Sequence, residues 1–264
     1  MNDGAPPPDD LPPRYRVQPR GYGEVVWVTI LLLLVALLLA KMTPNTLGGR
    51  SSDGSRERLV ARIEATLTEQ ARQTQPKIHA VLAAFAAGNV ADGKSRLADL
   101  AGGGQSGAWA SHADEAAAFL QKLGQMAHVL DNQMTYSPLL AGKRDALRGQ
   151  LQNNVINHPD DPLPIWESGW AELYVGRRED ALRDFAEAIH DDPQALDAWY
   201  SFGLNSNDPQ DTLGALVYLE TTGAAARVEA AVPDALLDHC IRDVHALAAL
   251  QAKAKQIASG ARHE

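Results

Sequence analysis

Glycine and proline recur in this sequence at a fixed spacing. Three pairs are 34 positions apart: Gly142 and Gly176, Gly169 and Gly203, and Pro159 and Pro193. Repeats of roughly 20–50 residues are typical of solenoids, in which each unit buries its apolar face against its neighbours. A chain with this period is therefore expected to fold as a stack of similar units.

The units are predicted to be helical. Aromatic residues make up only 6% of the chain, and alanine and leucine recur throughout it, which favours helices over strands. Leu59, Ile63 and Leu67 form one apolar stripe at intervals of four residues. Further helical patterns extend over 78–87, 90–101, 111–131 and 139–156. No stretch alternates in the manner of a strand, so we predict an all-α fold.

The best-defined unit covers residues 162–195 and reads PLPIWESGWAELYVGRREDALRDFAEAIHDDPQA. It resembles the tetratricopeptide repeat, a helix hairpin of 34 residues. The residues that carry the resemblance, including one in the next unit, are Gly169, Gly176, Ala181, Phe185, Ala188, Pro193 and Gly203. Small residues are expected where the two helices cross, with an aromatic ring filling the volume beside them. Glycine and proline are expected to end the helices.

The resemblance is weaker outside this unit. Residues 196–229 keep Trp199, Gly203, Ala215 and Leu219 in register and are predicted to be a degenerate second repeat. Upstream, Gly88, Gly93, Leu97 and Leu100 reproduce the spacing of the second helix, although an Ala/Leu-rich hairpin could do so by chance. We predict repeats of this type over 161–230, degenerate repeats over 56–160, and a capping helix and tail over 231–264.

A membrane helix is predicted ahead of this domain. The run VVWVTILLLLVALLLA at 25–40 contains no charge, and residues 22–42 would span about 30 Å as a helix, which matches a bilayer core. A cleavable signal peptide is the alternative, but Lys41 and Met42 stand where small residues would be needed. We therefore predict an uncleaved signal anchor. Flanking positive charges do not decide its orientation, and a short N-terminal tail favours an N-terminus inside.

Two connecting segments complete the predicted organisation. The proline-rich residues 1–21 cannot build a core and are predicted to be a disordered tail. Residues 43–55 are rich in glycine and serine and are predicted to be a flexible linker.

Charge and reactive residues limit the functional classes. The chain has a net charge of −9, and residues 151–264 carry 19 acidic and 8 basic side chains, which argues against nucleic acid and favours basic partners. One cysteine and eight histidines without zinc-site spacing predict no metal and no cofactor. The densest cluster of histidine and cysteine residues contains His239 and Cys240, but these two side chains would point to different faces of a helix. We predict no catalytic residues and no enzyme.

The resemblance implies a protein that binds segments or helices of other proteins. First helices line the concave groove in this family, so the implied contact residues are Trp166, Glu167, Trp170, Tyr174, Trp199 and Tyr200. The aromatic members of this set could equally serve as packing residues. We predict a scaffold or chaperone in a bacterial inner membrane, with its C-terminal domain in the periplasm, that assists the assembly or quality control of an envelope complex. The alternative is a stoichiometric subunit of a larger membrane or secretion complex.

Overall fold

A computed structural model describes residues 50–102, 107, 109–132, 138–158, 161–240 and 243–260. The predicted tail (1–21), the predicted membrane helix (22–42) and the first half of the predicted linker lie outside these residues. A compact unit of the chain begins at Arg58, within the first described helix. No helix among the described residues is long and apolar enough to cross a membrane.

The described part of the chain is all-α, as predicted, with eleven helices and no strand. The helices are α1 (Arg50–Ala86), α2 (Val90–Ala101), α3 (Trp109–Asn132), α4 (Pro138–Asn157), α5 (Pro162–Tyr174), α6 (Arg178–Asp191), α7 (Leu196–Asn205), α8 (Pro209–Thr222), α9 (Ala225–Ala231), α10 (Asp234–Leu237) and α11 (Val244–Gly260).

Two helices of the repeat region begin with the same local signal. Asp161 accepts a hydrogen bond from the backbone N–H of Leu163 at 3.0 Å, and Asp208 accepts one from Gln210 at 2.8 Å. A proline follows each aspartate, where its missing N–H and fixed φ cost nothing. The sequence Asp-Pro therefore starts both α5 and α8.

Helices α5 and α6 form one hairpin, and α7 and α8 form a second. A Cβ added to Gly169 would lie 2.6 Å from the ring of Phe185 and 3.2 Å from the carbonyl oxygen of Ala181. A Cβ added to Gly203 would lie 2.6 Å from the Cβ of Ala215. Both crossings therefore depend on a glycine in the first helix, and the crossing residues of the two hairpins are 34 positions apart.

Helix α1 packs against the second hairpin. A Cβ on Gly214 would lie 2.1 Å from the carbonyl oxygen of Leu82, so the backbones of α1 and α8 are nearly in contact. The ring of Phe85 stacks on that of Tyr218, with centroids 4.9 Å apart. The imidazole of His79 lies 2.7 Å from the Asp211 carboxylate. The closeness of this crossing leaves no room for a side chain at position 214.

Helix boundaries differ from the sequence prediction at three places. Helix α1 continues through Pro76, so the apolar stripe at 59–67 and the pattern predicted at 78–87 belong to one helix. Helix α1 is continuous from Arg50, so 50–55 are helical although they were predicted as linker. No proline interrupts the helical pattern there, and one glycine costs only about 1 kcal/mol. The predicted capping helix is divided, because the Asp243 carboxylate accepts from the N–H of His245 at 2.8 Å and thereby starts α11 anew.

Replacing Gly214 by alanine tests the crossing of α1 and α8. The new methyl group would collide with the α1 backbone and force the helices apart, which we expect to lower the free energy of unfolding by about 3 kcal/mol. Urea denaturation followed by circular dichroism measures this. Gly149→Ala is the matched control, since nothing lies within 4 Å of its new Cβ. The control should stabilise α4 by up to about 1 kcal/mol. Equal stabilities of the two variants would contradict this crossing.

Candidate functional site

The six residues implied as partner contacts lie on the first helices of the two hairpins. Trp166, Trp170 and Tyr174 follow one another at intervals of four on α5, and Trp199 and Tyr200 lie on α7. All five aromatic side chains are buried, with at most 4% of any residue exposed. They therefore pack inside the described unit, which is the alternative that the sequence left open. Only Glu167 is partly exposed.

A serine joins the two hairpins beneath these aromatic rings. The Oγ of Ser201 accepts hydrogen bonds from the indole N–H groups of Trp166 at 2.9 Å and Trp170 at 3.0 Å. The same hydroxyl donates to the carbonyl oxygen of Asp197 at 2.7 Å. Ser201 is thus fully satisfied, and it holds α5 against α7 through polar contacts in a buried environment.

Helix α3 covers the aromatic face of α5. The ring of Trp109, the first residue of α3, meets that of Trp166 edge to face, with centroids 5.6 Å apart. Phe119 approaches Trp166 at 6.1 Å. The groove between α5, α9 and α10 is therefore occupied by α3, a helix of the same chain.

Two aspartates form hydrogen bonds with the N-terminal end of α3. The Asp192 carboxylate accepts from the backbone N–H of Trp109 at 2.8 Å, and the Asp197 carboxylate accepts from its indole N–H at 2.6 Å. Arg227 pairs with Asp197 at 3.0 Å and balances its charge. Both carboxylates are buried. We call these two side chains the aspartate pair.

Titratable groups surround Glu167 where α3 meets α5. His112 of α3 lies 3.6 Å from the Asp161 carboxylate and 3.4 Å from that of Glu115. Burial raises the pKa of Glu167 to about 7, and the nearby carboxylates of Asp161 and Glu115 add to this effect. Near neutral pH, Glu167 is therefore close to the midpoint of its titration.

The residues of the proposed repeat motif lie in and beside the first hairpin. Gly169, Ala181 and Phe185 form its crossing, and Ala188 is buried one turn further along α6. Gly176 has φ of +85°, the left-handed conformation expected of a glycine that ends a helix. The carbonyl oxygen of Pro193, between α6 and α7, accepts from the indole N–H of Trp199 at 3.0 Å.

Helix α6 buries carboxylates as well as apolar side chains. Burial raises the pKa of Glu187 to about 8, and the neighbouring charges of Asp191 and Asp184 add to the shift. Burial also raises the pKa of Asp184 to about 6, although pairing with Arg183 at 2.9 Å opposes this. One carboxylate oxygen of Glu187 has no hydrogen-bond partner. This environment favours the protonated form of Glu187 in the folded protein.

The described residues contain no group of three His, Cys, Asp or Glu side chains that could hold a metal ion. His239 packs edge to face on Tyr174 at 5.0 Å. Burial raises the pKa of the Cys240 thiol to about 12, which disfavours the thiolate form at neutral pH. These contacts are typical of packing residues.

Several residues of this site were not singled out from the sequence, namely Trp109, Asp192, Asp197, Ser201 and Arg227. Asp192 lies at the C-terminal end of α6. Its contact with α3 is made to Trp109, which lies 83 positions earlier in the chain. No local pattern indicates such a contact. A tryptophan that opens a helix directly after a glycine-rich segment was the available signal.

Comparisons of the chain with protein-family profiles, with curated proteins and with solved structures find no significant match.

Replacing Ser201 by alanine tests the link between α5 and α7. Both indole N–H groups would lose their acceptor in a buried site, so we expect the free energy of unfolding to fall by about 2–4 kcal/mol. Urea unfolding followed by tryptophan fluorescence measures this. Ser259→Ala removes an exposed serine of α11 as a control and should change stability by less than about 0.5 kcal/mol. A Ser201→Ala variant as stable as this control would contradict the link.

The buried Glu187 predicts how stability depends on pH. Its pKa is higher in the folded chain than in the unfolded one, so its contribution is fully present below about pH 4.5 and is lost as the pH rises through about 8. Between pH 5 and 9, ionisation of Glu187 should lower the free energy of unfolding of the wild type by on the order of 2–3 kcal/mol, and the Glu187→Gln variant should not show this decrease. Glu179→Gln, an exposed change on the same helix, should keep the wild-type profile. Parallel profiles for Glu187→Gln and wild type would contradict the assignment.

Proposed function

We propose that this protein is a membrane-anchored tetratricopeptide-like scaffold that binds other proteins during the assembly or quality control of an envelope complex. The observation that carries the proposal is the repetition of one hairpin geometry. Gly169 with Ala181, and Gly203 with Ala215, occupy equivalent crossings in successive hairpins, and the members of each equivalent pair are 34 positions apart. Repeated hairpins of this length form grooves that suit extended segments or helices of a partner.

The anchor is proposed from the sequence of residues 22–42. An uncharged run of this length would be costly to expose to water, and one bilayer core accommodates it. A signal anchor with its N-terminus inside would place the hairpins in the periplasm of a bacterial cell, bound to the inner membrane by a single span.

The partners are proposed to be proteins. The groove between α5, α9 and α10 holds a helix of the same chain, and a polypeptide helix of a partner would suit it for the same reasons of shape and polarity. The net charge of −9 favours partners with basic segments and disfavours nucleic acid.

Protease accessibility tests the anchor and its orientation together. We expect a C-terminal epitope on the full chain to be digested in intact spheroplasts, whereas protection until lysis would contradict a periplasmic domain. Leu33→Arg with Leu37→Arg should release the protein from the membrane fraction, since each arginine costs about 2.5–3.5 kcal/mol at the centre of a span. Retention of this variant in the membrane would contradict the anchor.

Crosslinking then separates the two forms of the proposal. A scaffold or chaperone should yield crosslinks to several proteins, each in a substoichiometric amount relative to this protein. A structural subunit should co-purify with the same proteins at a fixed ratio. An activity that survives purification and is lost in His239→Ala or Cys240→Ala would contradict both.

A further inference from the structure

Helix α3 has the pattern of a helical ligand. Its buried side chains recur on one face at intervals of seven, four, three and four residues, namely Trp109, Ala116, Leu120, Leu123 and Ala127. Its other face, including Asp114, Glu115 and Lys122, is partly or fully exposed. An amphipathic helix with anchors at such spacing is the usual occupant of a groove between helices.

The groove recognises both the side chains and the direction of this helix. Helix α3 contacts α5, α9 and α10. At Gly124 it approaches the ring of Pro233 so closely that a Cβ would lie 2.7 Å away. At its beginning the aspartate pair faces the first backbone N–H of the helix and the indole N–H of Trp109. Carboxylates favour the N-terminal end of a helix, because that end carries a partial positive charge.

The contacts that hold α3 do not require that it belong to this chain. The aspartate pair binds one backbone N–H and one indole N–H, which any helix with tryptophan at its first position can supply. The connection to α2 contains Gly102 and Gly107, the latter with φ of +113°, a conformation available mainly to glycine. Both residues of this connection that the structure describes are glycines, so neither has a side chain that packs on α3.

We propose that α3 occupies, in cis, the groove in which a partner's helix binds, and that the partner helix presents a tryptophan at its first position above an apolar stripe like that of α3. This inference rests on the proposed scaffold function and names the class of its partner. Binding of the partner exchanges one tryptophan for another at the aspartate pair, and α3 leaves the groove. The acidic pocket disfavours partner helices that begin with aspartate or glutamate.

The test uses the full chain in detergent and a fluorescent synthetic peptide that corresponds to residues 109–132. Trp109→Ala weakens the hold on α3 in the chain, so this variant should bind the peptide about tenfold or more tightly than wild type does. A peptide in which alanine replaces its tryptophan should bind about tenfold or more weakly. Phe85→Ala is the matched control, because it removes a buried ring that packs on Tyr218 of α8. It should gain no affinity for the peptide.

A second variant and a hydrogen-exchange measurement test the same proposal independently. If Trp109→Ala does not fold, Phe119→Ala removes a partly exposed ring from the same interface and should show the same gain. In the wild-type chain, amide hydrogens of α3 should exchange about tenfold or more rapidly than those of α7 and α8, because opening of the groove does not require global unfolding. Equal protection of these helices would overturn the proposal.

The remaining outcomes also decide the proposal. Affinities of Trp109→Ala and Phe119→Ala no higher than that of Phe85→Ala would overturn it. So would formation of a dimer by exchange of α3 between two copies without binding of the peptide. The peptide experiment needs no cellular partner. If the peptide does not bind but the protein still crosslinks to other proteins in cells, the proposed role of the groove is wrong and the scaffold function stands. Peptide binding without crosslinks in cells would instead count against the scaffold function.

Discussion

The close crossing of two helices within each hairpin is the constraint on which the rest of the structure depends. At Gly169 the backbone of α5 comes so near to α6 that a single methyl group would collide with Phe185, and Gly203 has the same position against Ala215. Close contact maximises dispersion between the helices and fixes their register. The direction of α5 and α7 then determines which side chains meet between the hairpins and which face the groove.

Polar groups give this apolar arrangement a unique geometry. Ser201 accepts hydrogen bonds from two tryptophans of α5. Asp197 accepts one from the tryptophan of α3 and also pairs with Arg227. Each of these groups lies in a buried site, where an unmatched donor or acceptor would be expensive. A shift of one helix would break several such bonds together. The network therefore connects the register of α5 and α7 to the position of α3.

Buried carboxylates lower the stability of this unit at neutral pH, because burial disfavours their charged forms. Glu187 is held in an environment where its charged form is unfavourable, and Glu167 titrates near neutral pH beside the groove. Apolar residues of similar size would avoid these costs. The state of Glu167 changes the charge beside α3, so the electrostatics of the groove depend on pH in the neutral range.

The sequence by itself determined the local features of this protein. The period of 34, the Asp-Pro helix starts, the left-handed glycine that ends α5 and the apolar face of each helix depend on residues a few positions apart. The boundaries of α1 and α11 were less well predicted, because competing caps differ by only about 1 kcal/mol. Tertiary structure alone decided that the aromatic residues of α5 and α7 are buried. Trp199 is packed against Tyr218 of α8, and Trp166 is covered by α3, whose first residue, Trp109, is more than 50 positions from Trp166 along the chain. Contacts over such distances follow from the packing of whole helices, and no pattern within one segment encodes them.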